Sequence, residues 1–177
     1  MPGRSGIALV AGLLALGAGL VLLRDLAGPQ APYVDAGVEA PAFALPALGD
    51  GERALAELRG RVVLLNFWAT WCKPCEDEMP SMQRLYRELA GPGFELLAVS
   101  VDETPEPVAE FVRRFRLGFP ILLDPDKRAA EAYQTYRFPE SFLIDAEGRV
   151  VQRYVGPRPW DAPEYVSRIR ALLPVLP

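Results

Sequence analysis

Apolar positions along the chain fall into three textures: a long unbroken run at the start, short dense runs of strand length, and stripes at helical spacing. The first run, residues 5–23, carries no charge, and Ile7 to Leu23 as a helix would span roughly 26 Å, a little short of the ~30 Å hydrocarbon core of a bilayer. Arg4 and the amino terminus flank it on one side and Arg24-Asp25 on the other, a weak bias toward an inside amino terminus with the rest of the chain outside. No small-x-small cleavage site follows in RDLAGPQAP, so an uncleaved signal-anchor helix within residues 1–26 is expected in preference to a removed signal peptide. Residues 27–41, with Pro29, Pro32 and Pro41, read as a linker, and residues 42–177 as one domain.

Within the domain, short strands and helices alternate. A strand over 43–48, a Gly49-Asp50-Gly51 turn and a brief apolar segment over 55–58 predict a hairpin and a turn of helix. RVVLLNF, residues 61–67, is a dense strand run, and after Cys72 the spacing turns helical: Met79, Met82, Tyr86 and Leu89 make one stripe, which Gly91-Pro92-Gly93 stops. Pro80 is expected to kink that helix slightly. A buried strand over 94–101, a helix over 105–115 capped by Thr104, a short strand over 121–123 and a helix over 127–136 follow. A strand over 141–145, an Ala146-Glu147-Gly148 turn, a strand over 149–155 and a closing helix over 161–173 complete the pattern. This order predicts an α/β fold: a central mixed sheet, largely parallel with an antiparallel edge, and helices on both faces.

Composition removes whole classes of chemistry. The 177 residues contain no histidine, so serine-histidine and cysteine-histidine catalysis within the chain is excluded and the commonest metal ligand is missing. The net charge of -4, with both signs scattered, provides no basic stripe for nucleic acid. Both cysteines, Cys72 and Cys75, lie two residues apart, too few for a closed zinc site and too local for a structural staple. Redox chemistry is their natural use, and it needs no metal or other cofactor, because the two sulfurs themselves carry the electron pair.

The strand-loop-helix order puts Cys72 at a helix start, where free N–H groups and the positive end of the helix dipole favour thiolate. Cys72 would attack a substrate disulfide, and Cys75, about one turn on, would resolve the mixed disulfide. Pro74 sets the first turn without wasting a donor, and Lys73 adds positive charge beside the nucleophile. Two ordinary thiols or a passive disulfide remain the bland alternative, made less apt by the flanking Trp71 and Pro74.

NFWATWCKPC followed by EDEMP resembles the active site of the TlpA/ResA/DsbE-type thioredoxin-like proteins. The likeness runs from VEAPAF, residues 38–43, which is similar to that family's AP-x-F start, through SFLIDAEGRVV into the last helix. It implies a thioredoxin-like fold, a single amino-terminal membrane helix in the bacterial cell membrane, and a domain on the extracytoplasmic side. It also implies a monomeric thiol-disulfide oxidoreductase that reduces protein disulfides, including those of apocytochrome c before haem attachment, and takes electrons from a membrane thiol donor.

By the same resemblance, Asn66 stands where thioredoxin itself has a buried aspartate, so the proton-accepting carboxylate has to come from elsewhere. Glu78, three residues after Cys75 on nearly the same helical face, is the candidate, whereas Glu76 and Asp77 suit mere complementation of the helix dipole. The family pattern makes Pro139 a cis proline facing the cysteines, with Phe138 presenting its backbone to an extended substrate strand. Glu140 completes a Pro-Glu pair like that of DsbE-type members, while Arg137-Phe138 departs from the smaller residues usual there. Trp71 is expected on the rim as a substrate contact and Trp68 beneath it in the core.

Other classes fit less well. A copper chaperone needs a histidine, a peroxidase needs a lone cysteine in a proline-threonine setting, and haem attachment needs histidine where Glu76 stands. A disulfide oxidant or isomerase, and a non-catalytic tethered binding module, stay open, because the Lys73-Pro74 dipeptide does not fix a reduction potential.

Overall fold

The structure is a computed structural model and describes residues 33–174; the expected membrane helix, the anchor over 1–26 and the linker before Tyr33 lie outside the described residues. Among the described residues no helix is long and apolar enough to cross a membrane.

A small antiparallel hairpin, β1 (Ala44–Pro46) and β2 (Glu52–Ala54), runs into a 3-10 turn over Leu55–Leu58. The main sheet is built from β3 (Val62–Trp68), β4 (Phe94–Ser100), β5 (Ile121–Leu123), β6 (Glu140–Ile144) and β7 (Val150–Val155) in the order β5-β4-β3-β6-β7. β3, β4 and β5 are parallel, and β6 and β7 are antiparallel to their neighbours, so the sheet is mixed as the sequence pattern predicts. The helices are α1 (Lys73–Leu89), α2 (Pro105–Phe115), α3 (Arg128–Ala132) and α4 (Pro163–Arg170).

Every residue of β3 and β4 is buried, which explains why their sequences read as continuous apolar runs without alternation: both faces of the sheet are covered. Side chains alternate across β3. On one face Asn66 reaches α1 and Trp68 packs on Phe111 of α2; on the other Phe67 packs on Tyr133, just past α3.

The sheet edges are closed from the amino-terminal side. The hairpin docks on β5 through Leu48 N–H to the Ile121 carbonyl, 2.8 Å. Part of the segment expected as linker is packed on the domain: Val34 and Ala40 are buried, and Gly37 N–H and the Val38 carbonyl both bond Val150, at 2.8 and 2.9 Å. The domain's own contacts therefore begin near Val34, ahead of residue 42, and they cover part of the β7 edge.

Helix ends depart from the expected bounds for local reasons. The expected helix over 127–136 is only α3, because Lys127 and Gln134 both take left-handed backbone conformations at its ends. The Asp124 carboxylate caps it, accepting from Ala129 and Ala130 N–H at 3.3 and 2.9 Å. Thr104 does sit at the start of α2, but its hydroxyl makes no capping bond. α1 continues through Pro80 as a single helix.

Candidate active site

β3 ends at Trp68, and the loop from Ala69 to Trp71 carries the chain to Cys72, which is the N-cap of α1. One buried carboxylate shapes that loop: Asp102 accepts from Thr70 N–H at 3.0 Å, the Thr70 hydroxyl at 2.7 Å and the Ser100 hydroxyl at 2.7 Å. The backbone before the nucleophile is thus pinned to the end of β4, where a parallel strand leaves its sheet.

Cys72 and Cys75 form a disulfide with their Cα atoms 5.3 Å apart. Cys75 N–H, which also bonds the Cys72 carbonyl at 3.0 Å, donates to the Cys72 sulfur at 3.3 Å, so negative charge on Cys72 would meet a hydrogen bond as well as the helix dipole. Exposure separates the two sulfurs' roles: Cys72 is 6% exposed and Cys75 0%. Pro74 occupies the first turn of α1, where no intrahelical donor is needed. Lys73 is mostly engaged elsewhere, because its ammonium pairs with Asp77 at 2.8 Å and Glu76 at 3.1 Å along the exposed helix surface. Its pKa is raised, chiefly by the hydrogen bond to Asp77 and then by that to Glu76.

Glu78 lies one turn after Cys75 and is 3% exposed. Its Oε1 accepts from the Asn66 amide at 2.9 Å, and its Oε2 accepts from Arg158 N–H at 3.1 Å and from the Trp160 indole at 3.0 Å. Burial pushes its pKa up to about 7, against the pull of those three donors, the Trp160 bond foremost. The same Asn66 amide also donates to the Ser141 hydroxyl at 2.9 Å, while its Oδ1 has no partner. Ser81 ties the other side, accepting from Trp160 N–H at 3.1 Å. The carboxylate is therefore fixed between β3, α1 and the segment before α4.

The Phe138-Pro139 peptide is cis, as the family resemblance implies. Phe67 pairs with Glu140 across the β3–β6 ladder, so Pro139 falls one step further along, toward Trp68 and the cysteine loop. Phe138 packs edge-to-face on Trp71, ring centroids 6.0 Å apart, and Trp71 is exposed at the rim while Trp68 is wholly buried.

Trp71, Cys72, Phe138 and Pro139 thus meet at one end of the sheet, with Cys75 and Glu78 behind them. Glu140 does not join them: the alternation of β6 places it on the sheet face opposite Glu78, buried and paired with Arg153 at 2.7 Å. Lys73, expected to place its charge beside Cys72, pairs with Asp77 and Glu76 instead. Asp102, Arg158, Trp160, Ser141 and Arg153 are functional residues that the sequence pattern does not single out. Only Asp102 left a trace, a lone acid closing the apolar run of β4; the others reach the site across long stretches of chain that no local spacing records. Among the described residues no group of three acidic or cysteine ligands converges for a metal.

A profile of the AhpC/TSA family matches residues 36–153, which include the whole cysteine loop, α1 and the cis-proline strand. The chain belongs to the AhpC/TSA family. Within that family it is 42% identical over 120 residues to the thiol-disulfide oxidoreductase ResA of Bacillus cereus, covering 68% of this chain and 69% of that protein. It is 46% identical over 123 residues to ResA of Geobacillus kaustophilus, covering 70% of this chain and 71% of the relative. A solved Chlorobium tepidum structure assigned as the thiol:disulfide interchange protein DsbE superposes with a TM-score of 0.74 at 35% identity, over 80% of this chain and 99% of that one. This AhpC/TSA member is a thioredoxin-like thiol-disulfide oxidoreductase, and its fold is the thioredoxin-like α/β fold.

Proposed function

We propose that the enzyme is a reductase on the extracytoplasmic side of a bacterial cell membrane, where it opens disulfides of exported proteins, apocytochrome c before haem attachment among them. The observation that carries this reading is the buried Glu78 carboxylate, with a pKa of about 7, one helical turn from a fully buried Cys75. A reductase must deprotonate its inner cysteine, and Cys75 has no exposed surface from which water could take the proton.

In the dithiol form, the Cys72 thiolate attacks one sulfur of the client disulfide, and the client's other sulfur leaves as thiolate and collects a proton. Glu78 accepts the Cys75 proton while the Cys75 sulfur attacks Cys72, closing the internal disulfide and releasing the client's first sulfur. Two electrons pass from the dithiol to the client. A membrane thiol donor restores the dithiol, and the apolar run over 5–23 supports a single-pass tether that keeps a monomer near that donor. Trp71, Phe138 and Pro139 offer the client an aromatic rim and an accessible backbone beside Cys72.

The full chain in detergent, equilibrated in defined dithiol-disulfide buffers, tests the direction. A potential near the roughly -270 mV of thioredoxin supports the reductase, and one near about -120 mV replaces it with the oxidant reading.

A further inference from the structure

We propose that a pocket beyond the cis proline, walled by Tyr33, Tyr136, Arg137 and Val155 over the Glu140–Arg153 pair, is a specificity subsite for an aromatic side chain of the polypeptide client. The inference rests on the proposal that the client is a polypeptide disulfide bound at Cys72.

Four large apolar side chains are exposed among the described residues: Tyr33, Trp71, Tyr136 and Val155. Three of them line this one pocket, of about 460 Å3, and the fourth, Trp71, packs on Phe138, the chain neighbour of the pocket residue Arg137. Exposed apolar area so concentrated marks a surface that is covered in use. The pocket is continuous with the redox site through the chain itself: Tyr136 lies two residues before Phe138, and Val155 pairs with Glu140, the residue after Pro139. Gly156 N–H donates to the Pro139 carbonyl at 2.9 Å, which holds the end of β7 against the proline.

The floor argues for an uncharged occupant. Arg153 Nε and Nη2 bond Glu140 Oε1 at 3.0 and 2.7 Å, so the two charges cancel within the wall. Arg153 also bonds the Gln134 and Val34 carbonyls at 2.8 and 3.2 Å, and its guanidinium lies 4.6 Å from the centre of the Tyr33 ring. The floor is fixed by these bonds, and Tyr33 is held in place as a wall. An incoming ring would meet the Tyr33 and Tyr136 rings and the exposed Arg137 guanidinium, which favour aromatic faces and edges. An extended client strand rises about 3.3 Å per residue, so the ring would sit within a few residues of the attacked client cysteine.

The test uses the full chain in detergent, with reduced glutathione as the electron source, and two-cysteine peptide disulfides that carry Phe or Ser at each position up to about four residues from either cysteine. The wild type should process one Phe peptide roughly tenfold better in kcat/KM than its Ser counterpart, as a well-filled apolar pocket does. Tyr136→Ala should abolish that preference through KM, Tyr136→Phe should keep it, and both should reduce hydroxyethyl disulfide, a small linear disulfide with no side chain to fill the pocket, at the wild-type rate. Equal rates for all peptides, a preference for Asp or Lys at those positions, or a Tyr136→Ala loss shared by hydroxyethyl disulfide would each overturn the subsite. Failure of the underlying reading looks different: no peptide disulfide would turn over at any sequence while hydroxyethyl disulfide was still reduced, and the subsite would fall with it.

Discussion

The Asn66 amide donates to the Glu78 carboxylate at 2.9 Å across the interface of β3 and α1, and this bond joins the one polar residue of an otherwise apolar strand to the acid behind the cysteines. Burial opposes the charge on Glu78, and Asn66, Arg158 and Trp160 partly restore it. The balance leaves a group that can take and return a proton near neutral pH.

Glu78→Gln should slow closure of the internal disulfide roughly a hundredfold, the usual contribution of a positioned base, while attack by Cys72 is little changed. Stopped-flow measurement of the mixed-disulfide lifetime separates the two steps. An unchanged lifetime would remove Glu78 from proton transfer.

The raised pKa also sets a stability profile. Folding favours the protonated Glu78, so its contribution is whole below pH about 4.5 and is lost as pH rises through about 7. The shift corresponds to a loss on the order of 3 kcal/mol between those limits. Urea unfolding of the disulfide form across that range should show the decline, and Glu78→Gln, fixed in the neutral form, should flatten it.

Trp160→Phe removes the donor that most lowers the Glu78 pKa. The apparent pKa of internal disulfide closure should then rise by about one to two units, since a hydrogen bond to a charged group contributes about 1.5–3 kcal/mol. A downward or absent shift in the pH-rate profile would show that the indole does not act on this carboxylate.

Cys75→Ser should trap the client on Cys72 as a stable mixed disulfide visible by intact mass, and Cys72→Ser should trap nothing, because Cys75 has no exposed surface. Trapping through Cys75 would reverse the assigned order of attack.

Asp102→Ala leaves the Thr70 N–H and two hydroxyls without their acceptor and should cost about 1–3 kcal/mol in stability. It should also loosen the cysteine loop, seen as faster amide exchange at Ala69 to Trp71. Asp102→Asn, which keeps an acceptor oxygen, should be milder on both measures.

Much of this enzyme was legible along the chain because its signals are local. Continuous apolar runs required strands buried on both faces, helical stripes named the helices that cover them, and the strand-loop-helix order put Cys72 at a helix start. The spacing of Cys72, Cys75 and Glu78 placed all three on one helix, and the resemblance at Pro139 pointed to the isomer found there. What the chain order could not convey is which distant groups face one another. Glu140 and Glu78 are both acids near the motif, but strand alternation sends Glu140 to Arg153, and the buried face of α1 turns Glu78 to Trp160. Lys73 looks like a charge for the nucleophile until Asp77 and Glu76 claim it. The titration of Glu78, the anchoring of the cysteine loop by Asp102 and the aromatic pocket beside Pro139 depend on burial and on contacts between remote segments. Those are properties of packing, and only the tertiary structure determines them.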